Sequence, residues 1–346
     1  MCTIAGYIGN ERAVPVLIEM LRREEGLDSG FYTGITTVCD GKLYYAKCVG
    51  DLDHLLKTTN ALSLPGTIGF IHSRTKSGGG IEYGHPFIGF DKQNEPAVSF
   101  IANGTSGIFS ADKEKKAKLA EGLIADGFTL RSKATGVTGG YPVLSDGSMV
   151  HESDVHTQLA YRNILSGYQP YDALVKAYHD CKSEDVGLLL KNDDSEKIYF
   201  IRNNMPMHFA KGSTGVYLAT TAIAFPSDAS EPTLLPTSSC GWVSKDGFFA
   251  KPFTPIANFA PITARVRSEA YDKIMEILSE GEKTYSQLRR SIIPLFDKAD
   301  SNQASPVTYD ILYSLYKDGK IEIEERRVEG VYSDLTAPLF IIKLVK

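Results

Sequence analysis

The stretch Met1–Asn10, MCTIAGYIGN, decides how this chain is read. TIAGYIG, over 3–9, alternates and breaks at glycine, which predicts a strand. RAVPVLIEMLRREEG, over 12–26, then repeats apolar residues at helical spacing and stops at Gly26. Cys2 is thereby placed at the mouth of a first strand. A free cysteine is ordinarily a small core residue, so its type and position alone do not make it catalytic. Loss of Met1 would leave a thiol and a free α-amine on one residue. Such an amine titrates at about 7.7–8.0, so it can act as base for its own nucleophile, directly or through water.

Outward from this strand, GFYTGITTVCDGKLYYAKCVGD predicts two strands around an Asp40-Gly41 turn. LDHLLKTTNALS reads as a helix, and GTIGFIHSR and AVSFIANG read as short apolar strands carrying polar residues at their C-terminal ends. Helical periodicity returns over 111–127 and 153–166 and continues in YDALVKAYHD. DVGLLLKNDDSEKIYFIRN, GVYLATTAIAF and GWVSKDGFFAKPF then resume the strand pattern. Hairpins dominate, so the sheets are expected to be largely antiparallel, with helices packed as separate layers. A proline-rich linker is expected over 253–262, separating residues 1–252 from a C-terminal module, 263–346. Three helices followed by a strand pair give that module a winged-helix-like order. Its 13 basic and 14 acidic residues lack the excess expected of a nucleic-acid reader, so docking or dimerisation is the expected use.

A net charge of -5 gives no electrostatic reason to expect nucleic acid or an anionic membrane as partner. Five scattered cysteines without a C-x-x-C pair suggest neither a disulfide framework nor a metal cluster. There is no signal-like leader and no apolar run long enough to span a bilayer, so a cytoplasmic protein is expected.

A nucleophile attacking an amide also needs oxyanion donors and substrate anchors. Asn103 and Gly104 end an apolar strand and could aim a side-chain amide and a backbone N–H at one point, although Asn-Gly is also an ordinary turn. Arg74, with Ser77 nearby, suits a carboxylate, although a solvated arginine on a surface loop would read the same way. Glu152, Ser153 and Asp154 begin a helix; they serve either as caps or, through a carboxylate, as a seat for an ammonium group. Together these residues describe a site for an α-amino acid with a side-chain amide, and glutamine fits.

In order as well as kind, MCTIAGYIG, GLDSGFYTG, GFIHSRTKSGGG…GHPF, IANG and ESDVHTQL resemble the glutaminase domain of class II glutamine amidotransferases, over roughly residues 2–250. The likeness is greatest to synthase members that aminate a sugar phosphate. It implies the four-layer αββα sandwich of N-terminal-nucleophile hydrolases, an α+β fold. It further implies that Cys2 attacks the glutamine amide, that Asn103 and Gly104 form the oxyanion hole, that Arg74 and Ser77 bind the α-carboxylate and Asp154 the α-amine, and that His72 and His85 are scaffolding. No metal or organic cofactor is implied.

Departures from the pattern are also plain. Thr75, Ser77 and Gly78 stand where synthase members carry Trp and then Thr-His-Gly, Glu25 stands where an arginine is usual, and Ala102 replaces a histidine. The expected activity is hydrolysis of L-glutamine to glutamate and ammonia through a Cys2 thioester, without a sugar-isomerase domain. The ammonia would go to an acceptor on a partner polypeptide, and a homo-oligomer is a further expectation. The alternatives are an N-terminal-nucleophile amidase acting on another amide or γ-glutamyl compound, and a non-catalytic glutamine-sensing or scaffold protein.

Overall fold

Strands that carry apolar side chains toward both faces need cover on both sides, and this chain provides it. The computed structural model describes residues 2–104, 111–182, 185–256 and 259–345. A seven-stranded sheet has the order β11-β9-β10-β1-β4-β2-β3, with β1 Thr3–Gly9, β2 Tyr32–Cys39, β3 Lys42–Val49, β4 Ile68–Arg74, β9 His208–Lys211, β10 Gly215–Ala219 and β11 Thr233–Leu234. A six-stranded sheet has the order β13-β12-β8-β7-β6-β5, with β5 Phe87–Phe90, β6 Pro96–Asn103, β7 Val186–Lys191, β8 Ile198–Arg202, β12 Ser239–Ser244 and β13 Gly247–Pro252. Neighbouring strands in both sheets run antiparallel.

Side-chain alternation sorts each strand between two cores. On β1, Ile4 and Ile8 face the six-stranded sheet and meet Phe70, Ile101, Leu188 and Phe200. Ala5 and Tyr7 point the other way, into a core with Leu17 and Leu21 of α1 (Ala13–Glu24) and Leu55 of α2 (Leu52–Thr58). On the far side of the six-stranded sheet, Val98, Phe100 and Leu189 pack against α3 (Lys113–Ala125), α4 (Glu152–Leu165) and α5 (Pro170–Cys181). The layers therefore run helix, sheet, sheet, helix. With both sheets covered on both faces, all seven residues of β1 and of β4 are buried.

The C-terminal residues form α6 (Ala264–Ser279), α7 (Tyr285–Ile292) and α8 (Ala304–Lys317), with β15 (Ile321–Glu329) and β16 (Thr336–Leu344) as a hairpin. The two-residue strand β14, Lys283–Thr284, pairs with β16, an addition that the sequence pattern did not suggest. Leu27 and Ile223, from the preceding residues, enter the core built by Ile274, Leu288, Leu312 and Phe340. At Gly26 a Cβ would lie 2.3 Å from the Phe340 ring, so only glycine admits this contact. Arg327 pairs with Asp51, and Ser286 donates to Asp28 at 2.9 Å. The module thus completes its core with residues from the first 252. Phe253 donates its N–H to Ser238, which extends the β12–β13 edge one residue into the expected linker; residues 257 and 258 of that linker lie outside the described residues. Among the described residues no helix is long and apolar enough to cross a membrane.

Candidate active site

Three strand ends meet at Cys2. Thr3 pairs with Ser73, so Cys2 lies beside the last residues of β4, and its Sγ is 3.9 Å from Thr75 Oγ1. Asn103 closes β6 in the opposite sheet, and its Nδ2 donates to the Cys2 carbonyl at 2.9 Å. The candidate nucleophile and the candidate oxyanion donor, 101 residues apart in sequence, are therefore joined by a hydrogen bond between sheets. Gly104 follows Asn103 and is half-buried. Met1, on whose removal the N-terminal amine depends, lies outside the described residues.

His72 fastens the same junction. Its Nε2 is 3.1 Å from the Ala102 carbonyl, and a carbonyl only accepts, so this nitrogen carries the proton. Burial pushes the ring's pKa down to about 3, which keeps it neutral. His85 packs against it at a tilt, with ring centroids 4.1 Å apart, and is also held well below the ordinary histidine range, chiefly by burial. Neither ring nitrogen of His85 has a hydrogen-bond partner among the described residues. The chain comes very close here: a Cβ on Gly34 would sit 2.2 Å from the His85 carbonyl oxygen. His151, absent from the sequence-based set, extends this ring cluster, 5.7 Å from His85.

Arg74 ends β4 and is only 4% exposed. Its guanidinium lies over the Tyr32 ring at 4.8 Å, donates to the Gly78 carbonyl at 3.0 Å and also bonds the Tyr141 hydroxyl. Among the described residues no carboxylate pairs with it. The surface-loop reading of Arg74 is thus excluded, and its charge is held by neutral groups. Tyr141 donates to the Ser77 carbonyl at 2.8 Å, linking the arginine to the following loop. The Ser77 hydroxyl itself is exposed and donates to the Thr75 carbonyl at 3.1 Å. Tyr141 escaped the sequence reading because it sits in an aperiodic stretch, GGYPVLSDG, with no local signal of an arginine 67 residues away.

Two carboxylates begin α4, and the structure separates them. Asp154 is fully buried and accepts from the N–H and hydroxyl of Ser132, each at 2.8 Å, and from Gln158 at 3.0 Å. Desolvation raises its pKa despite these bonds. Glu152 is also buried, but its Oε2 has no hydrogen-bond partner among the described residues, and burial pushes its pKa up to about 7. Neither carboxylate caps the helix through its side chain: His151 does, its Nδ1 accepting from the Ser153 N–H at 3.1 Å. Lys47, lowered to about 8 by burial against the opposing charge of Asp154, donates to the Gly84 carbonyl at 2.9 Å.

Two facing antiparallel sheets lie between helical layers, with a cysteine at the head of a central strand. Two solved structures share this fold. The glutamine phosphoribosylpyrophosphate amidotransferase of B. subtilis aligns with a TM-score of 0.57 and 16% identity, over 81% of this chain and 58% of that one. A structure described as the allosteric regulatory enzyme of purine biosynthesis gives 0.58 and 14%, over the same shares. Sequence relatives bear out the likeness to class II glutamine amidotransferases. Glutamine–fructose-6-phosphate aminotransferase of Pyrococcus horikoshii is 27% identical over 285 residues, 82% of this chain and 42% of that protein. The enzyme of the same name from Agrobacterium fabrum is 24% identical over 317 residues, covering 86% and 47%. The chain spans less than half the length of these relatives, and no family model matches it.

Proposed function

We propose that this chain is a glutamine-hydrolysing amidotransferase unit that converts L-glutamine and water into glutamate and ammonia through a γ-glutamyl thioester on Cys2. The observation that carries the reading is the Asn103 amide bonded to the Cys2 carbonyl, with the buried Arg74, which pairs with no carboxylate among the described residues, at the end of the neighbouring strand. An amide NH2 has two hydrogens. One holds Cys2 in place, which leaves the other for the oxyanion that forms when Sγ attacks the substrate carbonyl. The Gly104 N–H is the second donor. With Met1 removed, the Cys2 α-amine takes the thiol proton and delivers it to the departing ammonia; water then cleaves the thioester to glutamate.

Arg74, its planar fork set by Tyr141, Gly78 and the Tyr32 face, binds the α-carboxylate. The substrate ammonium goes to the start of α4. There Asp154, oriented by its bonds to Ser132 and Gln158, receives it, and the Oε2 of Glu152, without a hydrogen-bond partner among the described residues, is a further acceptor at the same helix start. His72 and His85 act as neutral scaffolding between the sheets. The ammonia acceptor belongs to a partner polypeptide, and the C-terminal module, whose three helices and hairpin follow a winged-helix order, is the docking element.

Ammonia release by the purified protein tests the reading, together with mass analysis after treatment with a glutamine-analogue diazoketone. The label is expected on an N-terminal peptide that begins at Cys2, and Cys2→Ser is expected to abolish both labelling and ammonia release while leaving the melting temperature near that of the wild type. Ammonia release undiminished in Cys2→Ser would refute it.

A further inference from the structure

A cleft opens where the six-stranded sheet meets the C-terminal module. Its volume is about 510 Å3, within the range of small-molecule sites. Arg202 ends β8 and is only 4% exposed, yet it forms no ion pair among the described residues. Its Nε donates to the Met205 carbonyl at 2.8 Å and one Nη to the Asn204 carbonyl at 3.4 Å. Beside it the Nδ2 of Asn204, a residue 93% buried, has no partner among the described residues. Across the cleft Arg267 is neutralised by Asp310, at 3.0 Å, and Asp310 also meets His208 at 3.4 Å. Among the described residues the lining therefore sets two guanidiniums, Arg202 and Arg267, against one carboxylate, Asp310, and adds an amide donor without an acceptor. Pro236, Phe259, Ile262 and Pro306 supply apolar wall.

We propose that this cleft binds a small organic anion by its carboxylate or phosphate group, seated on Arg202 and the Asn204 amide. Burying a guanidinium is costly, and burial lowers the Arg202 pKa to about 10 although Asp310, already paired with Arg267, opposes the shift; an oxyanion in the cleft supplies the second negative charge and accepts the idle amide hydrogen. The apolar wall fits the carbon body of the ligand. Register places the cleft near the candidate catalytic centre: Arg202 pairs with Val186, and Val186 pairs with Asn103. Two strand spacings separate them, about 10 Å. The inference rests on the lining alone and does not require glutamine chemistry at Cys2.

Calorimetric titration of the full chain with inorganic phosphate, and separately with succinate, tests it. Saturable one-site binding of at least one probe is expected; phosphate alone identifies a phosphate-ester site, succinate alone a carboxylate site. Arg202→Met should weaken that binding roughly 10- to 100-fold, as loss of a charge-assisted bond would, and Asn204→Leu should weaken it while leaving the charge in place. Hydrogen exchange of the wild-type chain supplies a readout independent of any variant: the bound probe should protect residues 202–206 and not residues around Arg74. Cys2→Ser should bind the probe as the wild type does, so failure of the glutaminase reading would leave this one standing. Absence of saturable binding of both probes, protection located elsewhere, or wild-type titration in both Arg202→Met and Asn204→Leu would overturn it.

Discussion

Glu25→Gln should make the protein more stable above neutral pH and leave it unchanged in mild acid. Glu25 is 5% exposed, and its carboxylate accepts from Ser73 at 2.8 Å, Thr33 at 3.1 Å and the Leu52 N–H at 3.1 Å. Desolvation outweighs these bonds, and with the nearby Asp51 charge it raises the pKa from 4.5 to about 7. Below pH 4.5 the group is protonated whether the chain is folded or unfolded. As pH rises toward 7 the unfolded chain releases its proton while the folded chain keeps it, so stability falls; above 7 both are ionised and the loss is constant. At about 1.4 kcal/mol per pH unit, the interval amounts to roughly 3 kcal/mol. Gln retains an acceptor for Ser73 and Thr33 and never ionises. Urea unfolding of both proteins between pH 4.5 and 8 should show the curves together at the acid end and separated by roughly 3 kcal/mol above pH 7. A difference between the two proteins that does not vary with pH across this window would refute the argument.

Asn103→Ala should lower kcat for glutamine hydrolysis by about 100- to 1,000-fold with little change in KM, the effect of removing one oxyanion donor. Steady-state ammonia release measures it, and a loss smaller than tenfold would leave Asn103 only its bond to the Cys2 carbonyl. Phe340→Ala should remove about 3–5 kcal/mol of packing where the ring meets Gly26 and Leu27. Faster hydrogen exchange over 264–345, with the two large sheets still protected, is the expected result; unchanged exchange would show that this contact does not hold the module.

Much of the fold was legible locally because its elements carry complete local signals. The Asp40-Gly41 turn is one: both residues take positive φ, 48° and 74°, as a two-residue hairpin between twisted strands demands. The helices over 13–24 and 152–165 and the strands over 3–9 and 68–74 also fall where periodicity puts them. Strands of two to four residues escaped. His208–Lys211 is too short to show alternation and exists because β10 and β11 pair with it on either side. Lys283–Thr284 is a strand only through its pairing with β16.

The candidate site divides in the same way. By itself the sequence determined which groups are available and in what order: a cysteine ahead of a strand, an arginine and an asparagine at strand ends, carboxylates opening a helix. Tertiary structure decided which of them meet. It set the Asn103 amide on the Cys2 carbonyl, put Tyr141 on Arg74, enclosed Asp154 among Ser132 and Gln158, and, among the described residues, left an oxygen of Glu152 without a hydrogen bond and Arg202 without an ion pair. Residue type and spacing report local propensity. Whether a buried polar atom is satisfied depends on neighbours as far as a hundred residues away, and only the packed sheets bring those neighbours into range.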